Sequence, residues 1–343
     1  MNFDIAMPLT LFFVTLAAIF FDKKVERKMK GVFEEKEFRV RDAILLVAAM
    51  AVTVSLIVFI PQMAIMTIFL FSYSMLLFTF TYIFSDFKKA QARLFNIVFL
   101  VVSFTAATIS LYNLDANSLM GYGALAFFCL FAFTFIALLY DELRTSLRER
   151  WYLAILPPAL FIFLYSFFSG TPIWFPYLLD IYGIVFAVLI ILYLGSFFTW
   201  RTTLIFVTLL TAMDVILVLV TGAMVSAASH VSVLQLPMLI AIRTIPAVVR
   251  DGYVIWMSLG LGDFFFAGLI ALQTVRKYGR EYAILSAIAM SASFFIFEAF
   301  LLTYELRAFP GTVMIICGWI PLILWKKLGH EEKDSFSSRF KKE

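Results

Sequence analysis

Residues 253–274 read Tyr-Val-Ile-Trp-Met-Ser-Leu-Gly-Leu-Gly-Asp-Phe-Phe-Phe-Ala-Gly-Leu-Ile-Ala-Leu-Gln-Thr. The run is long enough to cross a bilayer, which takes about 20 apolar residues. Asp263 at its centre costs roughly 3 kcal/mol on insertion scales, so an intramembrane carboxylate is read as functional. Gly260 and Gly262, flanking Leu261, remove side-chain bulk, loosen a helix and let another backbone approach. A second carboxylate, Asp214, lies in the preceding apolar run, 202–224. The two are read as one site.

Working outward, the whole chain has the composition of an integral membrane protein. Of its 343 residues 63% are hydrophobic and 15% charged, against about 25% charged in an average soluble chain. The net charge of +4 reflects basic residues in short loops, which argues against a nucleic-acid partner. Cys129 and Cys317 lie in separate apolar runs without CxxC spacing, so neither a disulfide scaffold nor a zinc site is expected. Neither a metal nor a cofactor is called for. Residues 1–21 carry no basic residue before their apolar core, unlike a cleavable signal peptide, and read as a first transmembrane helix.

Apolar spans fall at about 4–21, 43–60, 62–84, 94–112, 121–140, 152–168, 177–199, 202–224, 253–274, 282–303 and 309–325. The expectation is an all-α polytopic membrane protein of about 9–11 transmembrane helices. The second and third spans are separated by a tight turn at Pro61. Segment 22–42 holds eight Lys or Arg, and further basic residues mark loops 85–93, 141–151, 199–201 and 275–281. Loops 113–120 and 169–176 have none; Arg243, Arg250 and Arg307 are exceptions on that side. Cationic loops stay in the cytoplasm, which predicts an outside N-terminus and a cytoplasmic C-terminus, in the cell membrane if the source is prokaryotic.

This orientation sets depths. Asp214 lies 13 residues after Arg201, and Asp263 lies 13 residues before Arg276. At 1.5 Å per residue, both carboxylates stand roughly 20 Å along antiparallel helices, at one depth. Two carboxylates at one depth in a low-dielectric site cannot both ionise cheaply and share a proton. That state suits amide hydrolysis: the ionised Asp takes a proton from water while the protonated one polarises the carbonyl. Thr211 and Thr221, on the face of Asp214, either line a water path or bond their own backbone. Segment 225–252 is apolar but broken by His230, Pro237, Arg243 and Pro246, too interrupted for a clean helix. It reads as an interfacial or re-entrant segment, or short strands, over the Asp pair.

A substrate here would itself be a membrane helix, unwound before cleavage, with backbone groups needing partners in lipid. Phe309-Pro310-Gly311-Thr312 opens the last span. Pro310 cannot donate a backbone hydrogen bond and disfavours helix at Phe309. Pro310 and the 225–252 segment are expected to form two sides of a substrate cradle.

These residues resemble the presenilin and signal peptide peptidase family of intramembrane aspartyl proteases. Gly260-Leu261-Gly262-Asp263-Phe264 is similar to its GxGD motif. Asp214 falls at its Tyr-Asp position, with Met213 in place of Tyr. Thr221–Ala228 is similar to the segment that follows that Asp in signal peptide peptidases. Pro310-Gly311-Thr312 falls at its Pro-Ala-Leu, with Gly-Thr in place of Ala-Leu. The likeness covers about residues 200–326. It implies a presenilin-like helical bundle and an archaeal or prokaryotic-like member, with the orientation of signal peptide peptidases. Residues 1–199 would be scaffold helices, 200–326 the catalytic core and 327–343 a cytoplasmic tail. Catalysis would fall to Asp214 and Asp263, and substrate docking to Gly260, Leu261, Gly262, Pro310, Gly311 and Thr312. Transmembrane segments or signal-peptide remnants would be the substrates, lipid the surroundings, and a homo-oligomer is left open.

Other readings attach to the same residues. The runner-up reading is a non-proteolytic proton- or cation-coupled transporter or channel that uses the same two carboxylates. A prepilin-type peptidase shares GxGD but places its first Asp near a helix end. Tyr140-Asp141 is expected at a solvated helix end, Pro158-Ala159-Leu160 at a helix kink, and His230 in an interfacial loop. Glu298, near the outer end of its span, is expected to pair or snorkel, with Arg307 as the candidate partner.

Overall fold

The computed structural model describes residues 2–30, 37–57, 59–60, 62–114, 119–143, 150–250, 252–306 and 308–340, without the side chains of 30 and 327–340. Pro61 and Arg307 therefore lie outside the described residues. Among the described residues twelve α-helices follow one another: α1 (Ala6–Lys30), α2 (Val40–Ile57), α3 (Gln62–Ile83), α4 (Lys89–Tyr112), α5 (Leu119–Leu143), α6 (Leu156–Phe168), α7 (Leu179–Gly195), α8 (Trp200–Val215), α9 (Ala223–Leu234), α10 (Leu261–Tyr278), α11 (Arg280–Tyr304) and α12 (Gly311–Phe340). Between α9 and α10 run four short strands, β1 (Leu239–Arg243), β2 (Val249–Arg250), β3 (Tyr253–Val254) and β4 (Trp256–Gly260). Nine helical spans among the described residues are long and apolar enough to cross a membrane. α10 and the apolar part of α12, Gly311–Lys326, join them as more charged or shorter helices. The chain is an all-α multi-pass membrane protein.

α10 is the axis. Every residue from Phe264 to Thr274 is buried, as expected of a helix that is apolar all round and enclosed by others. It packs against α1, α7, α8, α11 and α12. Lipid tails are as apolar as Leu, so tight van der Waals packing over small residues holds such helices together. A Cβ on Gly268 would stand 2.5 Å from Ile191, and one on Gly195 would stand 2.9 Å from Leu272. The closest approach is between α11 and α12, where a Cβ on Gly318 would meet the Ala289 carbonyl oxygen at 2.1 Å.

The C-terminal end of α10 is tied down by side chains. There, Gln273 Nε2 donates to the Phe198 carbonyl at 2.7 Å. Arg276 donates to the Gly195 and Phe198 carbonyls and, at 3.3 Å, to Asp22 of α1. Backbone carbonyls freed where α7 ends are thereby satisfied. Near the start of α1, Asp4 is buried and accepts from the Ala6, Met7 and Ile245 amides. It caps α1 and fastens the segment between β1 and β2.

The sequence reading is corrected at several points. The apolar run 253–274 is not one helix: its first part is β3 and β4, and helix starts only at Leu261. Span 202–224 breaks as well: α8 widens over Ile216–Val220, then Gly222, at φ 65°, starts α9. Positive φ suits glycine, which has no Cβ to clash. Segment 225–252 opens as helix, so His230 is on α9, its Nδ1 2.8 Å from the Ser226 carbonyl, rather than in a loop. Pro157 and Pro158 sit in the first turn of α6, where proline is tolerated, and mark a helix start instead of a kink. Asp141 is buried, not solvated: Arg150 Nε meets it at 2.7 Å and Tyr152 donates to it at 3.1 Å.

Candidate functional site

β1 and β4 pair antiparallel, Leu239 opposite Gly260 and Arg243 opposite Trp256. On the far edge of β1, the Ala241 amide donates to Asp180 of α7 at 2.8 Å. The Ala241 amide therefore points away from β4. In an antiparallel ladder, hydrogen-bonded and non-bonded pairs alternate. Ala241 and Ser258 are thus a non-bonded pair, and Ser258 turns its own N–H and C=O outward, as does Trp256. The bonds that flank the ladder, from the Leu261 amide to the Met238 carbonyl and from the Thr244 amide to the Ile255 carbonyl, fit the same alternation. One edge of the sheet is closed by Asp180; the other faces a cavity of about 470 Å³.

Asp214 and Asp263 both line that cavity, together with Gly260 and Gly311. Asp214, in the last turn of α8, is buried and accepts two hydrogen bonds from Thr312, one from the amide at 3.2 Å and one from Oγ1 at 2.6 Å. Asp263 lies in the first turn of α10, not at mid-helix, and is partly open to the cavity. A Cβ on Gly311 would stand 2.6 Å from Asp263 Oδ1. The two carboxylates therefore converge on Gly311 and Thr312, where α12 begins behind buried Pro310.

This arrangement has an electrostatic consequence. The first amides of a helix lack intrahelical partners and carry partial positive charge. Asp214 satisfies one such amide at the start of α12, and Asp263 sits at the start of α10. Two helix N-termini thus meet at one pair of carboxylates, as at helix-bound anion sites. Each end contributes typically about 0.3–1 kcal/mol to holding negative charge, which offsets part of the cost of placing it within the bundle.

All eight sequence-predicted residues lie in this neighbourhood, with altered roles. Gly311 makes the close approach that was expected of the GxGD glycines. Gly262 is exposed, and a Cβ on it would meet nothing within 4 Å. Leu261 is buried beneath the site as the first residue of α10. Thr211 and Thr221 bond their own helix, to the Val207 and Leu217 carbonyls, and do not line the cavity. Glu298 is fully buried, and its carboxylate oxygens have no hydrogen-bond partner among the described residues. Sequence reasoning missed the open edge of β4, the Asp180 brace and the Thr312 hydroxyl. Met238–Ile242 and Trp256–Gly260 are apolar runs of a length that suits either helix or strand.

No family model matches the chain, and neither a curated protein nor a solved structure does.

Proposed function

We propose that the chain is an intramembrane aspartic endopeptidase that cleaves membrane-spanning peptides. The observation that carries this reading is the convergence of Asp214 and Asp263 on Gly311 and Thr312, in a cavity walled by the open edge of β4. A locally unwound substrate adds to that edge as a strand. Its amides and carbonyls pair with those of Trp256 and Ser258, which removes the cost of bare backbone groups in lipid. The edge is β4, beyond the 225–252 segment; that segment supplies β1, the inner strand. Ala308 and Phe309 form the opposite wall, and Pro310, expected as one side of the cradle, is buried and does not line the cavity.

The added strand brings a scissile carbonyl beside the two carboxylates. Asp214, held by two donors from Thr312, is the ionised partner and takes a proton from water. The hydroxide attacks the carbonyl carbon while protonated Asp263 donates to its oxygen. The tetrahedral intermediate collapses, the C–N bond breaks and the leaving nitrogen takes up a proton from the dyad. No metal or cofactor enters these steps.

We further infer an outside N-terminus and a cytoplasmic C-terminus from the distribution of Lys and Arg. Labelling single cysteines at 118 and 341, positions outside the described residues, tests this: labelling from outside intact cells at Lys341→Cys but not at Ser118→Cys overturns it.

The purified protein in detergent, incubated with a model transmembrane peptide, is expected to release two fragments whose masses locate one cut within the span. A transporter or channel, the competing reading of the same carboxylates, would instead give carboxylate-dependent ion flux in proteoliposomes and no fragments.

A further inference from the structure

At the outer end of the cavity, Arg250 of β2 and Glu305, just past the end of α11, face each other with Nε and Oε1 3.5 Å apart. Both line the cavity, and they come from opposite walls. Arg250 belongs to the strand side, where β2 pairs with β3. Glu305 belongs to the segment between α11 and Pro310 and holds a left-handed conformation at φ 56°. Among the described residues no other ion pair joins these walls. The side chains are 39% and 66% exposed, so the bond is weak and opens easily.

A strand laid on the open edge of β4 would pass between these walls. Its inner end would reach the carboxylates beside Gly260, and its outer end would pass Trp256 and meet the ion pair. At about 3.3 Å per residue, the five residues of β4 place that meeting about five or more substrate residues from the cut. Entry would part the two ions. Glu305, the more exposed, rehydrates readily; Arg250 is less open to water and loses its ion-pair partner among the described residues.

Resting on the protease reading above, we propose that Arg250 is a specificity-determining subsite for a carboxylate on the outer flank of the substrate, which Glu305 fills while the cavity is empty. The favoured substrates are transmembrane peptides with Asp or Glu about five to seven residues outward of the scissile bond. Lys or Arg at that position meets the Arg250 guanidinium and is disfavoured. The subsite positions the strand; it touches no reacting atom and acts on binding rather than on the chemical step.

The test uses the full chain in detergent and three model transmembrane peptides that differ only by Glu, Gln or Lys at this outer position. The expected order of kcat/KM is Glu above Gln above Lys, with tenfold or more between the ends, carried by KM and not by kcat. Arg250→Glu is expected to invert the order, and Glu305→Gln to lower KM for the Glu and Gln peptides. Arg250→Gln, with its melting temperature checked, replaces Arg250→Glu if the latter misfolds and should abolish the order. An unchanged order in a folded Arg250 variant overturns the subsite. Binding of the same peptides to Asp263→Asn protein separates the two claims. Charge-ordered binding without cleavage by wild type sinks the protease reading alone; cleavage without charge order sinks the subsite alone.

Discussion

Thr312 Oγ1 donates to Asp214 Oδ2 at 2.6 Å, and the Thr312 amide donates to the same oxygen at 3.2 Å. One residue at the start of α12 thereby fixes the orientation of a carboxylate on α8. Hydrogen bonds to charged groups contribute about 1.5–3 kcal/mol. Thr312→Val keeps the shape and removes the hydroxyl. Its kcat on a model transmembrane peptide is expected to fall about tenfold or more, while Thr312→Ser retains most of the activity. Steady-state kinetics of the two variants checks this, and equal activity in both would show that the hydroxyl has no part in orienting Asp214.

Gly311 leaves room for Asp263. An added Cβ would sit 2.6 Å from Oδ1 and 2.8 Å from Cγ, inside any real carbon contact. Gly311→Ala is therefore expected to push the Asp263 carboxylate away from its place and lower kcat at least tenfold. α12 accepts alanine as readily as any residue, so circular dichroism should show unchanged helix content. Wild-type turnover by Gly311→Ala would mean that Asp263 moves without consequence.

That Asp214 and Asp263 meet was legible in the sequence because each is 13 residues from an arginine at a helix end, and helix 201–214 and helix 263–276 are unbroken in the structure. What was not legible follows from apolar composition. Tyr253–Thr274 reads as one hydrophobic span because hydropathy is indifferent to backbone conformation, and only the partner strands Val249–Arg250 and Leu239–Arg243 make its first third extended. Asp141 reads as solvated because it stands beside a charged loop, yet Arg150, nine residues on, folds back onto it in the interior. Gly311 against Asp263 and Asp180 against Ala241 join distant parts of the chain, and no local pattern announces them.

The open edge of β4 yields its own prediction. Ser258 turns its N–H away from β1, so proline at this position spares the ladder, as on other edge strands. Ser258→Pro removes a donor from the edge where substrate would pair. KM for a transmembrane peptide is expected to rise several-fold, with the melting temperature within a few degrees of wild type. Unchanged KM in a folded Ser258→Pro protein would argue that substrate takes another route to the carboxylates.

Stability is most exposed at the crossing of α11 and α12. Gly318→Ala would place a Cβ 2.1 Å from the Ala289 carbonyl oxygen, a backbone atom that cannot swing aside. Overpacking of this kind costs about 1–3 kcal/mol. A lowered melting temperature in detergent is expected, with activity reduced in step because α12 carries Gly311 and Thr312. A melting curve superimposable on wild type would show that the two helices separate freely.

The most direct measurement is cleavage of a model transmembrane peptide by purified Asp214→Asn and Asp263→Asn proteins beside wild type, with fragments read by mass spectrometry. Each substitution keeps the side chain's size and removes its ability to take up or deliver the proton. The expected result is two folded proteins, with wild-type helix content and melting behaviour, that release no fragments. Full cleavage by either one would contradict the two-carboxylate mechanism.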